Sequence, residues 1–340
     1  MPQVSKQIEP ANWNPLLRAI HEGTCVPFLG AAANIGGGGF KIPTGVELAR
    51  DLVRFITNLQ ADSNPEDLVR LDPPLDAYKE MLRSGVTDLA RVSLHLRDQL
   101  GPRDFLDEIR ARLIADNCQP SPLLKVVASL PFELIVTTNY DCMMEQALED
   151  EGRAFYPVAQ PLRGFDETEG VRINTELENF DGVRLYKIHG EFTRQQEAAE
   201  AVAQNAGEDS PIIITEEDYI QFLTVLREPV KGVPKWIDGK IRRSRFLFLG
   251  YGLEDWDFRT MYEGLIASIP KYMKPTSYAI QFQPSPFWVN YWANRGVRIY
   301  DMDIKDFAQQ LKDKYAAFVQ QLGARQAAPG EPPQAPQGEQ

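Results

Sequence analysis

Cys25-Val26-Pro27-Phe28-Leu29 runs directly into Gly30-Ala31-Ala32-Ala33-Asn34-Ile35-Gly36-Gly37-Gly38-Gly39, and the next helix signal comes only at Thr44, with Glu47 three residues on as a capping box. The apolar run reads as a buried strand and the small residues as the loop that leaves it. The same alternation recurs outward along the chain. Strand-like runs are expected at Leu134 to Thr138, Arg184 to Ile188, Pro211 to Ile214, Phe246 to Leu249, Ser277 to Gln281 and Val297 to Tyr300, with helix-length amphipathic stretches between them. Strands buried on both faces and separated by helices predict an α/β doubly wound, mostly parallel Rossmann-like sheet. A second capping box, Thr215 with Asp218, opens a later helix, and Asp141 and Asp303 are placed to cap the helices that follow them.

From Asn58 to Leu130 the pattern is helical without a strand, clearest over Val86 to Leu100 and Arg103 to Ala115, so residues of about 58–130 read as a helical insertion between the first two strands. Residues 323–340 are almost wholly Ala, Gln, Pro and Gly and read as a disordered tail behind a domain of residues 1–322. Arg194 to Ser210 is polar and alanine-rich, an exposed helix or a loop. Arg227 to Arg245 holds seven basic and two acidic residues interleaved with apolar ones, the pattern of an amphipathic helix with a basic face.

The 340 residues carry 36 Lys+Arg against 48 Asp+Glu, a net charge of −12, which argues against broad electrostatic capture of nucleic acid or an anionic membrane. Three scattered cysteines, Cys25, Cys118 and Cys142, make no CxxC and no Cys/His set, so no metal is expected. With no signal-peptide pattern and no apolar run near the roughly 18 residues of a membrane span, the expected location is cytoplasmic.

Chemistry is expected where strands end. The loop at Gly30 reads either as a cradle for a diphosphate or as a flexible glycine connection; it spells neither GxGxxG nor GxxxxGK[ST]. Leu134 to Thr138 ends in Asn139-Tyr140-Asp141, three polar groups at the edge where open parallel sheets bind ligands. Arg184 to Ile188 ends in His189-Gly190. His21 and His95 fall within helical stretches and read as structural, which leaves His189 as the histidine at the sheet edge. Phe246 to Leu249 opens into Gly250-Tyr251-Gly252-Leu253-Glu254-Asp255, glycines followed by acids that face a ribose or cap the next helix.

Taken together and in order, GAAAN (Gly30 to Asn34), IPTG (Ile42 to Gly45), TTNYD (Thr137 to Asp141), KIHG (Lys187 to Gly190) and FLGYGLEDWDF (Phe248 to Phe258) resemble the bacterial sirtuin-like family, whose members include NAD hydrolases of antiviral defence systems. The resemblance implies that Gly30, Ala31, Ala32 and Asn34 cradle the NAD diphosphate, with Thr138 beside them, and that Gly250 and Tyr251 close on the adenosine side. It implies that Asn139 positions the attacking water, that Asp141 faces the nicotinamide end and that His189 polarises a ribose hydroxyl. NAD is then a substrate, cleaved to nicotinamide and ADP-ribose. A homo-oligomer and a partner protein that senses phage infection, such as an ATPase, belong to the same implication. Two departures stand out. The family's usual GAG is Gly30-Ala31-Ala32 here, and the place of the four zinc cysteines of protein-deacylating sirtuins is taken by the cysteine-free stretch 194–210. A zinc-free deacylase, an ADP-ribosyltransferase and a non-enzymatic NAD- or ADP-ribose-binding module are the alternatives.

Overall fold

The computed structural model describes residues 5–62, 88–115, 117–192, 211–226, 228, 231–266 and 275–327. Seven parallel strands form one sheet in the order β3-β4-β2-β1-β5-β6-β7. They are β1 (Cys25–Leu29), β2 (Leu134–Thr137), β3 (Phe155–Ala159), β4 (Val183–Lys187), β5 (Arg245–Leu249), β6 (Ser277–Gln281) and β7 (Val297–Asp301). Twelve described α-helices flank it: α1 (Pro10–His21), α2 (Gly45–Asp62), α3 (Leu89–Leu100), α4 (Pro102–Leu113), α5 (Pro122–Ser129), α6 (Met143–Asp150), α7 (Glu167–Asn179), α8 (Glu216–Leu226), α9 (Lys235–Arg243), α10 (Trp256–Leu265), α11 (Pro286–Ala293) and α12 (Ile304–Ala327). The fold is α/β and Rossmann-like.

Strand periodicity divides the core. Cys25, Leu29, Ile135, Leu185 and Leu247 face the helices α1, α5, α6 and α12, whereas Val26, Phe28, Val136, Tyr186 and Phe248 face α7 to α11. A third apolar cluster lies above the carboxyl edge, where Leu48, Leu52, Val92, Leu96 and Ile109 of α2 to α4 pack with Tyr140, Phe192, Ile212 and Ile214. Helices α2 to α4 therefore roof the strand ends.

The order places β2 on one side of β1 and β5 on the other, with parallel registers Phe28↔Val136 and Phe28↔Phe248. The chain changes direction at β1, and crevices at such points take ligands in open α/β sheets. Both capping boxes form: the Thr44 N–H donates to Glu47 at 2.9 Å, and the Thr215 N–H to Asp218 at 2.9 Å. Asp141 and Asp303 accept from the N–H groups of Met143 and Lys305.

Three features differ from expectation. Pro211 to Ile214 is not a sheet strand; it makes a single antiparallel bridge, Gly190↔Ile212, and its apolar run is buried as a cover between two clusters. An unexpected strand, β3, lies at the sheet edge. Pro157 interrupts its apolar run and costs it a donor, which speaks against a strand in the sequence, and its faces are half-exposed as an edge allows. Helix α12 continues beyond residue 322, the end expected of the domain, to Ala327, through residues that tolerate helix. Within the basic stretch 227–245 the helix occupies Lys235–Arg243 and buries Ile237 and Ile241. Residues 63–87 of the insertion, the 194–210 stretch and residues 328–340 lie outside the described residues.

Candidate active site

The Leu29 carbonyl, at the end of the central strand, gathers the neighbouring loops. It accepts from the Thr138 N–H at 3.1 Å, from the Thr137 hydroxyl at 3.1 Å and from the Tyr251 hydroxyl at 3.1 Å. Tyr251 also pairs with the Thr138 hydroxyl at 2.9 Å. Ends of β1, β2 and β5 thus share one anchor, and a cavity of about 300 Å³ opens over them.

Ala31, Ala32 and Asn34 line this cavity from the first loop, Thr138, Asn139 and Asp141 from the second, His189 from the third, and Gly250 and Tyr251 from the fourth. Nine of the ten residues expected from the sequence thus meet at one place. Gly30 is the exception. It is packed beneath the cavity, where an added Cβ would stand 2.6 Å from the Gly250 carbonyl oxygen and 2.9 Å from the Tyr251 ring.

The first loop is also less open to an anion than its composition suggests. Ala31–Asn34 form a 3-10 turn in which the Ala32 N–H is donated to Gly250 O and the Ala33 N–H to Gly30 O. The glycines after it serve close chain packing: a Cβ on Gly39, at φ +73°, would fall 1.6 Å from Asn117 O, and one on Gly37 would fall 2.5 Å from Gln119 O.

Asp141 is buried and doubly held. Its Oδ1 accepts the Met143 N–H at 2.9 Å and its Oδ2 accepts the Asn34 side-chain amide at 2.8 Å. Because a carboxylate only accepts, Asn34 must present Nδ2 to it, and Asn34 Oδ1 is left buried without a protein partner. His189 Nε2 is the second such atom on this wall. Its ring stands edge-on to Tyr219 and Phe222, with centroids 5.2 and 5.6 Å away. Burial among these rings pushes the imidazole pKa down to about 3, so His189 is neutral at physiological pH. A neutral imidazole offers one donor and one acceptor and carries no charge.

A stability signature follows from that burial. Unfolded His189 binds a proton near pH 6.5 and the folded form does not until about pH 3, so stability falls as pH drops through this window. Between pH 6.5 and 4.5 this one group is expected to cost about 2 kcal/mol. Urea unfolding of His189→Phe should show that much less acid sensitivity than wild type, and parallel curves would mean that the ring is already hydrated.

Tyr219, Pro43 and Val46 also line the cavity. Tyr219 carried no signal beyond the apolar face of its helix; Pro43 lay in the IPTG motif without an assigned role. Asp255 is the N-cap residue of α10 but makes no capping bond with its side chain, and together with Glu254 it borders the cavity. Among the described residues no His/Cys/Asp/Glu group has the arrangement of a metal site, and no helix is long and apolar enough to cross a membrane.

Residues 133–300 match a family model described as a SIR2-like domain. The chain carries a SIR2-like domain. The match begins at the entry to β2, yet β1 lies between β2 and β5, so the SIR2-like sheet is complete only with the residues before it. The chain is also similar to two proteins named NAD(+) hydrolase ThsA. That of Enterococcus faecium is 25% identical over 186 residues, 53% of this chain and 31% of the relative. That of Acinetobacter baumannii (strain 532279) is 23% identical over 223 residues, 66% of this chain and 36% of the relative. The chain thus spans about a third of the length of these relatives.

Proposed function

We propose that the SIR2-like domain is an NAD glycohydrolase that releases nicotinamide and ADP-ribose. The observation that carries this reading is the meeting of Asn139, Asp141 and His189 in one cavity whose walls keep two buried polar atoms, Asn34 Oδ1 and His189 Nε2, without protein partners. Buried polar groups are rarely left so, and a ligand with hydroxyl and amide groups satisfies them.

The chemistry asks for little more. Nicotinamide leaves a cationic glycoside as a neutral molecule, so the bond breaks through an oxocarbenium-like state without strong acid assistance. The fixed carboxylate of Asp141 supplies negative charge beside that cation, the neutral His189 orients a ribose hydroxyl, and the Asn139 amide aligns water for attack. Gly250 and Tyr251 also line the cavity, and the family resemblance assigns them to the adenosine half.

In the wider reading, based on the family resemblance, turnover depletes NAD in anti-phage defence under the control of self-assembly or of a partner that senses infection. Incubating the protein with NAD over a concentration series and identifying the products tests the activity. Free ADP-ribose and nicotinamide support it. An ADP-ribosylated or deacylated protein, or binding without turnover at every concentration, overturns it in favour of a transferase, a deacylase or a binding module.

A further inference from the structure

The lysine of KIHG does no work in the chemistry above, yet it is the most deeply enclosed charge in the molecule's described part. Lys187 closes β4, two residues before His189, and is 0% exposed. Its ammonium donates to Asp141 O at 2.7 Å and to Glu145 Oε1 at 2.6 Å, and forms an ion pair with Glu191 Oε2 at 3.2 Å. The first of these is unlike the others. Helix α6 opens its ladder with the Gln146 N–H on Cys142 O, so the Asp141 carbonyl stands outside the helix and takes a side-chain donor instead.

Two further contacts join the same segments. The Phe192 N–H donates to Tyr140 O at 3.1 Å, and the Cys142 thiol donates to Phe192 O at 3.4 Å. The turn that presents Asn139 and Asp141 is therefore bound to the chain on either side of His189. A buried ammonium is costly to desolvate, and apolar residues often replace such pairs without loss of stability, so fold stability alone gives weak grounds for a lysine here.

We propose that Lys187 is a positioning residue: by fixing the Asp141 carbonyl it holds the Asn139–Asp141 turn in register with His189. The activity arm of its test rests on the NAD-cleaving reading, and the exchange arm does not. The competing explanation is that Lys187 only neutralises Glu145.

The variants Lys187→Met, Lys187→Met with Glu145→Leu, and Glu145→Gln separate the two. Misplacing a reacting group by about 1 Å costs roughly 10²-fold in rate, so Lys187→Met is expected to lose about that in kcat with little change in the KM for NAD. Removing Glu145 as well should restore the melting temperature and leave kcat low. Glu145→Gln, which keeps the lysine, should stay near wild type in turnover. Recovery of kcat in the double variant, or an equal loss in folded Glu145→Gln, would overturn the proposal.

Amide hydrogen exchange reads the turn directly. The Asn139 and Met143 N–H groups, bonded to Thr137 Oγ1 and Asp141 Oδ1, should exchange faster when Lys187 is gone, while β1 and β5 keep their protection. Unchanged exchange at these two amides would overturn the proposal even if NAD proved not to be the substrate. Should Lys187→Met fail to fold, the double variant, which leaves unpaired only the partly exposed Glu191 carboxylate, carries the same measurement.

Discussion

Asn139→Ala and His189→Phe are each expected to lower nicotinamide release by about 10²–10³-fold, the loss of an orienting hydrogen-bonding group, while the protein stays folded. Asn139 holds its turn through the backbone, by its N–H on Thr137 Oγ1, so losing the side-chain amide removes the water-orienting group and leaves the turn intact. His189 calls for a different substitution than its place at a strand end suggests. It is only 2% exposed and packed between rings, so alanine would open a cavity and confuse lost chemistry with lost packing. Phenylalanine keeps the shape and deletes Nε2. NAD affinity should fall much less than turnover, because the Ala31–Asn34 turn and the Gly250–Tyr251 loop are untouched. Nicotinamide release, NAD binding and circular dichroism on the same samples check this; turnover retained in both folded variants would put the active site elsewhere.

Gly250→Ala is expected to be the most damaging single methyl in the site. At φ +77° a Cβ strains the backbone, and here it would also stand 2.2 Å from the Ala33 nitrogen, 2.8 Å from the Ala32 carbonyl carbon and 2.9 Å from Gly30 O. Nothing in that list is a flexible side chain that can step aside. Strain and overpacking together should cost about 2–5 kcal/mol and spread the Ala31–Asn34 turn away from the cavity floor. Gly101 supplies the control, since it has φ +81° with nothing within 4 Å of an added Cβ. Gly101→Ala should cost only the backbone strain at φ 81° and ψ 162°, about 1–3 kcal/mol. Denaturant midpoints measure the difference, and equal losses in the two variants would show that the contact with the Ala31–Asn34 turn is unimportant.

The central strands were legible because burial on both faces writes a continuous apolar run, and β1, β5 and β6 end within a residue of where that run predicts. The same signal misled at Pro211 to Ile214, because periodicity does not distinguish a strand from an extended cover buried between two clusters. β3 escaped notice for the opposite reason: Pro157 interrupts its apolar run and speaks against a strand, yet an edge position tolerates it. At the site, residue types at strand ends were informative, since the topology brings those ends together whatever lies between them. The role of the glycine run was not legible, because what demands small residues at Gly37 and Gly39 is chain near Asn117 and Gln119, some eighty positions away. Lys187 was hidden likewise. Its partners Asp141 and Glu145 precede it by more than forty residues, and a strand-end lysine ordinarily points to solvent.

The anchor beneath the cavity is a main-chain oxygen, and that affects what inheritance can alter. Any amino acid at position 29 brings the same carbonyl, so no missense change there can delete the acceptor; it can only move it by disturbing the strand's packing. Of the donors, the Thr138 N–H is also main chain, whereas the Thr137 and Tyr251 hydroxyls are encoded residue by residue and exposed to drift. Lineages can therefore exchange the hydroxyls one at a time while the backbone pair keeps the strand ends aligned, a route by which a pocket of this geometry outlasts most of the letters that first specified it.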